Sequence, residues 1–335
     1  MNILIIKPSS LGDVIHALPF LKAIKDRYPD SRVDWVISRR LKGIIEDNPL
    51  IDELIVIDKD SWGSIGNLSQ TVTEIFRTAR SLRKKHYDII ADLQGLLRSG
   101  IISFITPAVL KIGFDNAREG SRYFYNKRVS VNSSIHAVEK NLKIAGALGA
   151  KPEKTEFPLK VDEKAREEVK RLINNAGEYI LIIPSARWRT KIWPAENFAS
   201  LIKRLPITSV ITGSPDDKDI ARKITDKSPN NTIDICGRTG LKELVALIEG
   251  AKVVVSGDSG PIHIAAALGK PVIALFGPTD ASKTGPYGWQ ENKDLTVISS
   301  NVSCRPCFRK RCRDPICMSG ITVDMVLEEL NRYIK

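Results

Sequence analysis

Two segments in the second half of the chain carry residues that could bind a diphosphate. The first, SGDSGPIHIAAALG at residues 256–269, follows a hydrophobic run, and its Gly-Asp-Ser-Gly turn leads into a helical pattern. The amides of such a turn and the helix dipole favour an anion, and His263 could donate a further hydrogen bond. An ordinary strand–turn–helix in which Asp258 caps the helix explains the same residues equally well. The Gly- and Thr-rich segment at 276–288 favours phosphate binding.

The second segment is the basic, aromatic loop IIPSARWRTKIWP at residues 182–194. Lys191 could contact a diphosphate as a mobile point charge, although a solvated loop lysine is the simpler interpretation. Farther along, TGSPDDKD at residues 212–219 places Asp216 and Asp217 after another strand pattern. One of these carboxylates could bind the two hydroxyls of a ribose, and helix capping explains both nearly as well.

A carboxylate also occupies a turn near the start of the chain. In IIKPSSLGDVIHALP, residues 5–19, a buried strand leads through a Ser/Gly turn into an amphipathic helix. Turns of this kind usually receive a phosphate, but Asp13 would repel one. A helix cap explains this carboxylate, and the residues alone leave the ligand of the turn open.

Four of the five cysteines lie within CRPCFRKRCRDPIC at residues 304–317, with the spacing C-x2-C-x4-C-x4-C. Four thiols in so short a stretch could form a tetrahedral zinc or iron site, with reduced thiols or adventitious disulfides as the alternatives. The ligands of that site would be Cys304, Cys307, Cys312 and Cys317. Cys236, alone at a strand end, is interpreted as a small core residue.

The elements that must position these loops alternate between strand and helix, which predicts parallel sheets wound on both faces. The strand patterns are 2–6, 33–37, 54–57, 88–91, 179–183, 208–212, 232–235, 252–256 and 272–276, with helical patterns such as 70–85 between them. The series restarts after the polar stretch at 150–160, so we expect two Rossmann-like domains with a ligand cleft between them. Their predicted bounds are 1–155 and 156–320, followed by a terminal helix in 321–335.

The composition favours an anionic partner. The 335 residues carry a net charge of +12 from 51 basic and 39 acidic side chains. Phosphorylated substrates or an acidic membrane surface fit this charge better than nucleic acid, because the basic residues are spread and no motif interleaves them with aromatics. The apolar runs are shorter than the ~20 residues that span a bilayer, and the start of the chain has no signal-peptide pattern, so we expect a cytoplasmic protein. No G-x-G-x-x-G follows the first strand, which disfavours a dinucleotide-dependent oxidoreductase.

In combination, KPSSLGDVIHALP, DLQGLLRSG, PSARW..KIWP and SGDSGPIHIAAALG..VIALFGPTD resemble the ADP-heptose lipopolysaccharide heptosyltransferases over nearly the whole chain. This resemblance implies the GT-B architecture, an α/β fold of two facing Rossmann-like domains, with the terminal helix crossing back to the first domain. It also implies an inverting glycosyltransferase. The segments at 113–129 and 136–142 are most similar to the first inner-core enzyme, which attaches heptose to the Kdo sugars of lipid A.

Site residues follow from the same resemblance. Asp13 corresponds to the general base that takes a proton from the acceptor hydroxyl, so its turn would bind a hydroxyl. Lys191 would stabilise the leaving diphosphate. The donor contacts implied are Asp217, Thr239, Asp258, Ser259, Gly260 and His263, and the acceptor contacts are Lys7, Ser10, Gly12, Gln94 and Arg118. Related first inner-core enzymes carry Glu where this chain has Asp217, which leaves that contact open.

The partners implied are an ADP-heptose donor, a Kdo–lipid A acceptor and the anionic inner face of the inner membrane, with no cofactor required for catalysis. The cysteine array is absent from first inner-core enzymes and similar to arrays in other members of the family. Another acceptor, either heptose-extended core or a protein hydroxyl, therefore stays open, as does a non-catalytic protein that binds a nucleotide or a metal. Any metal at the array would be structural.

Overall fold

The computed structural model describes residues 1–58, 78, 80–132 and 134–334, so most of the helix predicted at 70–85 lies outside the described residues. The chain divides into two units, Met1–Lys160 and Val161–Lys335, a few residues beyond the boundary expected from the sequence. Each unit contains one six-stranded sheet. Among the described residues, no helix combines the length and the apolar character needed to cross a bilayer.

The first unit has a parallel sheet in the order β3-β2-β1-β4-β5-β6. Its strands β1 to β6 are Asn2–Ile6, Arg32–Ser38, Glu53–Ile57, Tyr87–Asp92, Ala108–Phe114 and Lys127–Val129. Its described helices α1 to α4 are Leu11–Ile15, Leu18–Arg27, Leu97–Ile105 and Ala137–Ala147. The side chains of Ile3 to Ile6 are fully buried, as expected for a central strand covered on both faces.

The second unit repeats this arrangement, with the order β12-β11-β10-β7-β8-β9 and all strands parallel. Its strands β7 to β12 are Tyr179–Ile183, Thr208–Ile211, Thr232–Asp234, Val253–Gly257, Val272–Leu275 and Leu295–Ile298. Its described helices α5 to α12 are Glu163–Leu172, Ala195–Ile202, Lys218–Thr225, Leu241–Gly250, Gly260–Ala267, Ala281–Thr284, Ile316–Ser319 and Val323–Leu330.

In both sheets the strand order reverses at one point, between β1 and β4 in the first unit and between β7 and β10 in the second. In open α/β sheets a ligand binds beyond the carboxyl ends of the strands at this switch point. The loops after β1, β4, β7 and β10 are therefore the positions where functional residues are expected.

The final helix belongs to the core of the second unit. Val326 and Leu330 of α12 are fully buried there together with Phe198 of α6. The Trp193 indole N–H donates to the carbonyl of Ile321 at 2.9 Å, which fixes the start of this segment. The apolar stripe of α12 packs against α6 and the β11–β12 side of its own sheet. The crossing of the terminal segment to the first domain, which the resemblance implies, stays a prediction.

Candidate donor and acceptor sites

An ion pair marks the switch point of the second sheet. Lys191 follows β7 and Asp258 follows β10 directly, and the Lys191 Nζ donates to Asp258 Oδ2 at 2.6 Å. The Thr279 hydroxyl, in the loop after β11, donates to the same oxygen at 2.5 Å. Asp258 is buried and Lys191 half-buried, so the pair is held in one geometry with little water around it. Asp258 is therefore engaged by Lys191 and Thr279, and Ser259 is the residue that caps α9.

Basic and aromatic side chains lie close together at the loop that carries Lys191. The Lys191 ammonium lies 4.5 Å from the ring centroid of Trp188, and that of Lys310 lies 5.3 Å from the same ring. Beside this ring is a cavity of about 480 Å³. Among the described residues that line it, four are basic and none is acidic: Arg189, Thr190, Lys310, Arg311, Cys312, Arg313 and Pro315. We call this cavity the basic pocket.

The cysteine-rich segment braces these loops, a role that the sequence analysis missed. The Thr190 hydroxyl donates to the carbonyl of Arg309 at 2.9 Å. The amides of Cys307 and Phe308 donate to the carbonyl of Pro278 at 3.1 and 2.9 Å. The Arg305 side chain donates to the carbonyl of Gly277. The segment thus ties the loop that carries Lys191 to the loop that carries Thr279.

The start of α9 lies next to the ion pair. The Ser259 backbone is extended, with φ of −149° and ψ of 168°, and Gly260 begins the helix. The Ser259 hydroxyl pairs with that of Ser256 at 3.1 Å, and His263 is buried in the first turns of the helix. The predicted donor residues 258–263 therefore lie together at one helix N-terminus, where the helix dipole favours an anion.

Asp217 lies in the loop after β8, the strand beside β7, and Thr239 lies in the loop after β9. The Asp217 Oδ2 accepts hydrogen bonds from the Ser214 amide at 2.8 Å and the Ser214 hydroxyl at 2.6 Å. The hydroxyl oxygens of Thr239 and Thr212 are 3.0 Å apart. The structure places both predicted residues at the carboxyl edge of the sheet, with Asp217 already engaged as a helix cap.

The predicted acceptor residues meet at the switch point of the first sheet. The buried Lys7 ammonium donates to the carbonyl of Leu93 at 2.8 Å, and the Ser9 amide donates to Gln94 Oε1 at 3.3 Å. The Asp13 Oδ2 accepts from the Ser10 amide at 2.9 Å and the Ser10 hydroxyl at 2.7 Å. Those bonds fix the carboxylate in the first turn of α1, where Gly12 is buried.

A buried carboxylate that the sequence analysis did not single out shapes the neighbouring turn. Asp92 ends β4, and its Oδ1 accepts from the amides of Gln94 and Gly95 at 2.9 and 3.0 Å. Its Oδ2 accepts from the Tyr125 hydroxyl at 2.6 Å. Complete burial raises the pKa of Asp92, while these hydrogen bonds act in the opposite direction. Asp92 thus positions Gln94; an Asp directly after an apolar strand and before Gln-Gly was the available signal.

Arg118 lies in a turn that is hydrogen-bonded to the Gln94 turn. Its amide donates to the carbonyl of Gly95 at 2.9 Å, and its carbonyl accepts from the Ser121 hydroxyl at 2.9 Å. The side chain is exposed. The backbone therefore brings Arg118 to the predicted acceptor region, and its guanidinium is open to solvent.

The structure lends no support to the predicted metal site at the cysteine array. Within the described part of the chain, no three His, Cys, Asp or Glu side chains make a group that could hold a metal ion. Cys317 is buried in the core of the second unit, whereas Cys312 lines the basic pocket and its thiol donates to the carbonyl of Asp314 at 3.2 Å. Burial raises the pKa of the Cys317 thiol, and Cys304 and Cys307 act on it in the same direction, so these three cysteines lie near one another. Burial raises the pKa of the Cys236 thiol to about 12. Cys236 lies in the core of the second unit, which confirms its interpretation as a small core residue.

Comparisons with known proteins agree with this architecture. The model of glycosyltransferase family 9 (heptosyltransferase) matches residues 75–317. Lipopolysaccharide heptosyltransferase 1 of Pseudomonas aeruginosa is 30% identical over 324 residues, covering 93% of this chain and 87% of the relative. Lipopolysaccharide heptosyltransferase 3 of Escherichia coli K12 is 28% identical, covering 84% of this chain and 83% of the relative.

The same result comes from solved structures. The E. coli heptosyltransferase WaaC with ADP superimposes with a TM-score of 0.82 at 26% identity, covering 99% of this chain and all of that one (100%). The two Rossmann-like units are those of the GT-B fold, and the enzyme class is that of a glycosyltransferase with a nucleotide-sugar donor. The chain belongs to glycosyltransferase family 9, the heptosyltransferases.

Proposed function

We propose that the protein transfers heptose from ADP-L-glycero-D-manno-heptose, with inversion, to a Kdo sugar of Kdo–lipid A in lipopolysaccharide core biosynthesis. The observation that carries this proposal is the Lys191–Asp258–Thr279 cluster at the switch point of the second sheet. The likeness to a heptosyltransferase solved with ADP supports a nucleotide diphosphate as the ligand there. Lipopolysaccharide heptosyltransferase 1 relatives support the acceptor.

On the donor side, the chain supplies fixed positive charge. When the glycosidic bond to ADP breaks, negative charge grows on the departing diphosphate. Lys191, oriented by Asp258 and by the Trp188 ring, would meet that charge together with the amides at the start of α9. The four cations of the basic pocket add a positive potential beside it. Asp217 is assigned to the nucleoside end because it follows the strand next to the switch point, and Thr239 because its hydroxyl pairs with that of Thr212 after the same strand.

On the acceptor side, Asp13 would act as the general base. The hydroxyl that attacks the anomeric carbon must lose a proton, and an inverting transfer places the base on the face opposite the leaving group. The two hydrogen bonds from Ser10 hold the carboxylate in place for that transfer. Lys7, Gln94 and Arg118 are assigned to the anionic acceptor sugar. The proposed reaction uses no metal or other cofactor.

A second acceptor also has support. Heptosyltransferases 1 and 3 of E. coli K12 are both 28% identical to this chain, so heptose-extended core is the alternative acceptor. In either case the acceptor is part of a glycolipid, and we propose that the enzyme works at the cytoplasmic face of the inner membrane. These two relatives are lipopolysaccharide enzymes, so they lend no comparable support to a protein hydroxyl as the acceptor.

The test is product formation by the purified protein. ADP-heptose is incubated with de-acylated Kdo–lipid A, with the same acceptor already carrying one heptose, and without acceptor. We expect ADP release and a product one heptose heavier only with the first. Transfer only to the heptosylated acceptor would replace the acceptor assignment, and no transfer to either would overturn the proposed function.

A further inference from the structure

The first unit carries an exposed apolar surface that the donor and acceptor sites do not use. Among its described residues, the large exposed hydrophobic side chains other than Met1 all lie between residues 97 and 123. Phe104, Val109 and Tyr123 are 65%, 79% and 71% exposed. We define the α3 patch as Leu97, Ile101, Phe104, Val109 and Tyr123. From its composition and surroundings we infer that the α3 patch is the surface on which the enzyme docks to an anionic lipid bilayer.

The patch is contiguous because of how helix α3 packs. Leu97, Ile101 and Phe104 are spaced i, i+4 and i+7, so they share one face of the helix. Ile102 and Ser99 are buried on another face. A side chain at Gly100 would come within 2.6 Å of the Phe124 ring, which shows how closely the turn at 121–124 approaches the helix.

Val109 and Tyr123, the two members of the α3 patch outside the helix, are linked to it through contacts of neighbouring residues. The rings of Phe104 and Phe124 are 5.6 Å apart, and Tyr123 precedes Phe124 in the chain. Val109 is the second residue of β5, and the ammonium of Lys111 in the same strand donates to the Phe104 carbonyl at 3.0 Å. Helix, strand start and turn therefore present one surface.

Cations flank the aromatic residues of the α3 patch. The Lys111 ammonium lies 5.9 Å from the Phe104 ring centroid, and the guanidinium groups of Arg122 and Arg128 lie 5.2 and 5.7 Å from that of Tyr123. The nearby carboxylate of Glu119 accepts a hydrogen bond from the Leu97 amide at 3.1 Å and so is held at the helix start. Apolar and aromatic side chains ringed by Lys and Arg are what an anionic lipid–water interface binds.

The position of the patch favours a membrane over a protein partner, and this step rests on the proposed function. Helix α3 begins three residues after Gln94, at the turn assigned to the acceptor sugar. Its nine residues extend about 13 Å from that turn. An acceptor whose sugar end lies at Gln94 and whose acyl chains lie in a bilayer would bring the membrane to this side of the first unit.

The binding test uses the full chain and the double variant Phe104→Ser/Val109→Ser. The matched control is Phe308→Ser/Ile316→Ser, which removes an aromatic and an aliphatic side chain that are 47% and 46% exposed in the second unit. Co-sedimentation is measured with vesicles of phosphatidylcholine alone and with 30% phosphatidylglycerol, a composition chosen to give about the surface potential of an anionic leaflet. We expect the wild type and the control to bind the anionic vesicles, and the double variant to lose at least about tenfold in partitioning.

Two further measurements separate the possible explanations. Val109→Glu, at a very exposed position, keeps the fold and should weaken vesicle binding in the same direction. With the double variant, turnover of the de-acylated acceptor should stay unchanged, while turnover of the full acceptor in vesicles should fall by about tenfold.

Three outcomes would overturn the inference. The first is a wild type that does not bind anionic vesicles, and the second is a double variant that binds them as the wild type does. The third is a double variant that changes only in oligomeric state, which would assign the α3 patch to a second copy of the chain. If the wild type binds vesicles but transfers heptose to neither acceptor, the proposed function fails and the docking surface stands.

Discussion

Two helix caps in the two units have nearly the same local structure and are assigned different chemistry. In the first unit, the Ser10 amide and hydroxyl donate to one oxygen of Asp13 at 2.9 and 2.7 Å. In the second, Ser214 donates in the same way to Asp217 at 2.8 and 2.6 Å. Both are Ser-x-x-Asp capping boxes, so hydrogen bonding within the turn does not distinguish a base from a binding residue.

The difference lies in the strand that each cap follows. Asp13 follows β1 at the switch point of its sheet, beside Lys7 and Gln94. Asp217 follows β8, one strand away from the switch point, where Rossmann-like folds place the acid that binds a ribose. The resemblance implies a base at the first cap and a ribose contact at the second, and the strand that each cap follows supports these two proposals where local structure does not.

The largest effect is expected at the base. Asp13→Asn retains an oxygen that can accept from Ser10 but removes the proton acceptor, so kcat should fall by about 10³-fold, within the range measured for general bases. ADP affinity, measured by calorimetry, should stay within about twofold, since the proposed ADP site is in the second unit. The matched change Asp217→Asn should retain most turnover. Equal losses at both positions would remove the distinction between the caps.

Lys191→Met should lower kcat by about 10²-fold, because the leaving diphosphate loses its fixed cation. It also leaves Asp258 buried without its partner, which should cost about 3 kcal/mol of unfolding free energy. In the double variant Lys191→Met/Asp258→Asn, denaturant unfolding should show most of that stability restored while transfer stays low. Restored transfer would show that Lys191 acts only by keeping the fold.

At the second cap, Asp217→Ala should weaken ADP binding by about tenfold through the lost ribose contact. The control is Ser214→Ala, which removes the cap and keeps the carboxylate. Asp217→Glu should bind ADP at least as well as the wild type, since related enzymes carry Glu there. If Ser214→Ala weakens ADP binding as much as Asp217→Ala does, then Asp217 is only a helix cap.

The smallest effects come from the two serines compared directly. Ser10→Ala and Ser214→Ala should each cost about 1 kcal/mol in unfolding free energy, as is usual for a lost cap. Only Ser10→Ala should also lower kcat, by several-fold, because its hydroxyl helps to orient the proposed base. A similar fall in kcat for Ser214→Ala would contradict the assignment.

Much of this architecture could be predicted from the sequence, because parallel strands that are buried on both faces appear in a sequence as short apolar runs. The two sheets follow those runs, and the loops at their ends carry Lys191, Asp258 and Asp13. The repeated strand order also explains why the series of patterns restarts in mid-chain.

Long-range packing decides what the sequence alone does not indicate. Cysteine spacing predicts a metal site, whereas the structure buries Cys317 in the core with the fully buried Met318 and places Cys312 at the basic pocket. The partner of Asp92 is Tyr125, 33 residues away, which no local pattern indicates. The apolar stripe of the final helix predicts burial but does not specify which unit covers it.

The most direct test of the central claim measures heptose transfer and ADP binding side by side for the wild type and Asp13→Asn. The wild type should release ADP only when de-acylated Kdo–lipid A is present and should make an acceptor one heptose heavier, whereas Asp13→Asn should bind ADP normally without transfer. Transfer by Asp13→Asn at the rate of the wild type would contradict the assignment of the first-unit cap as the base.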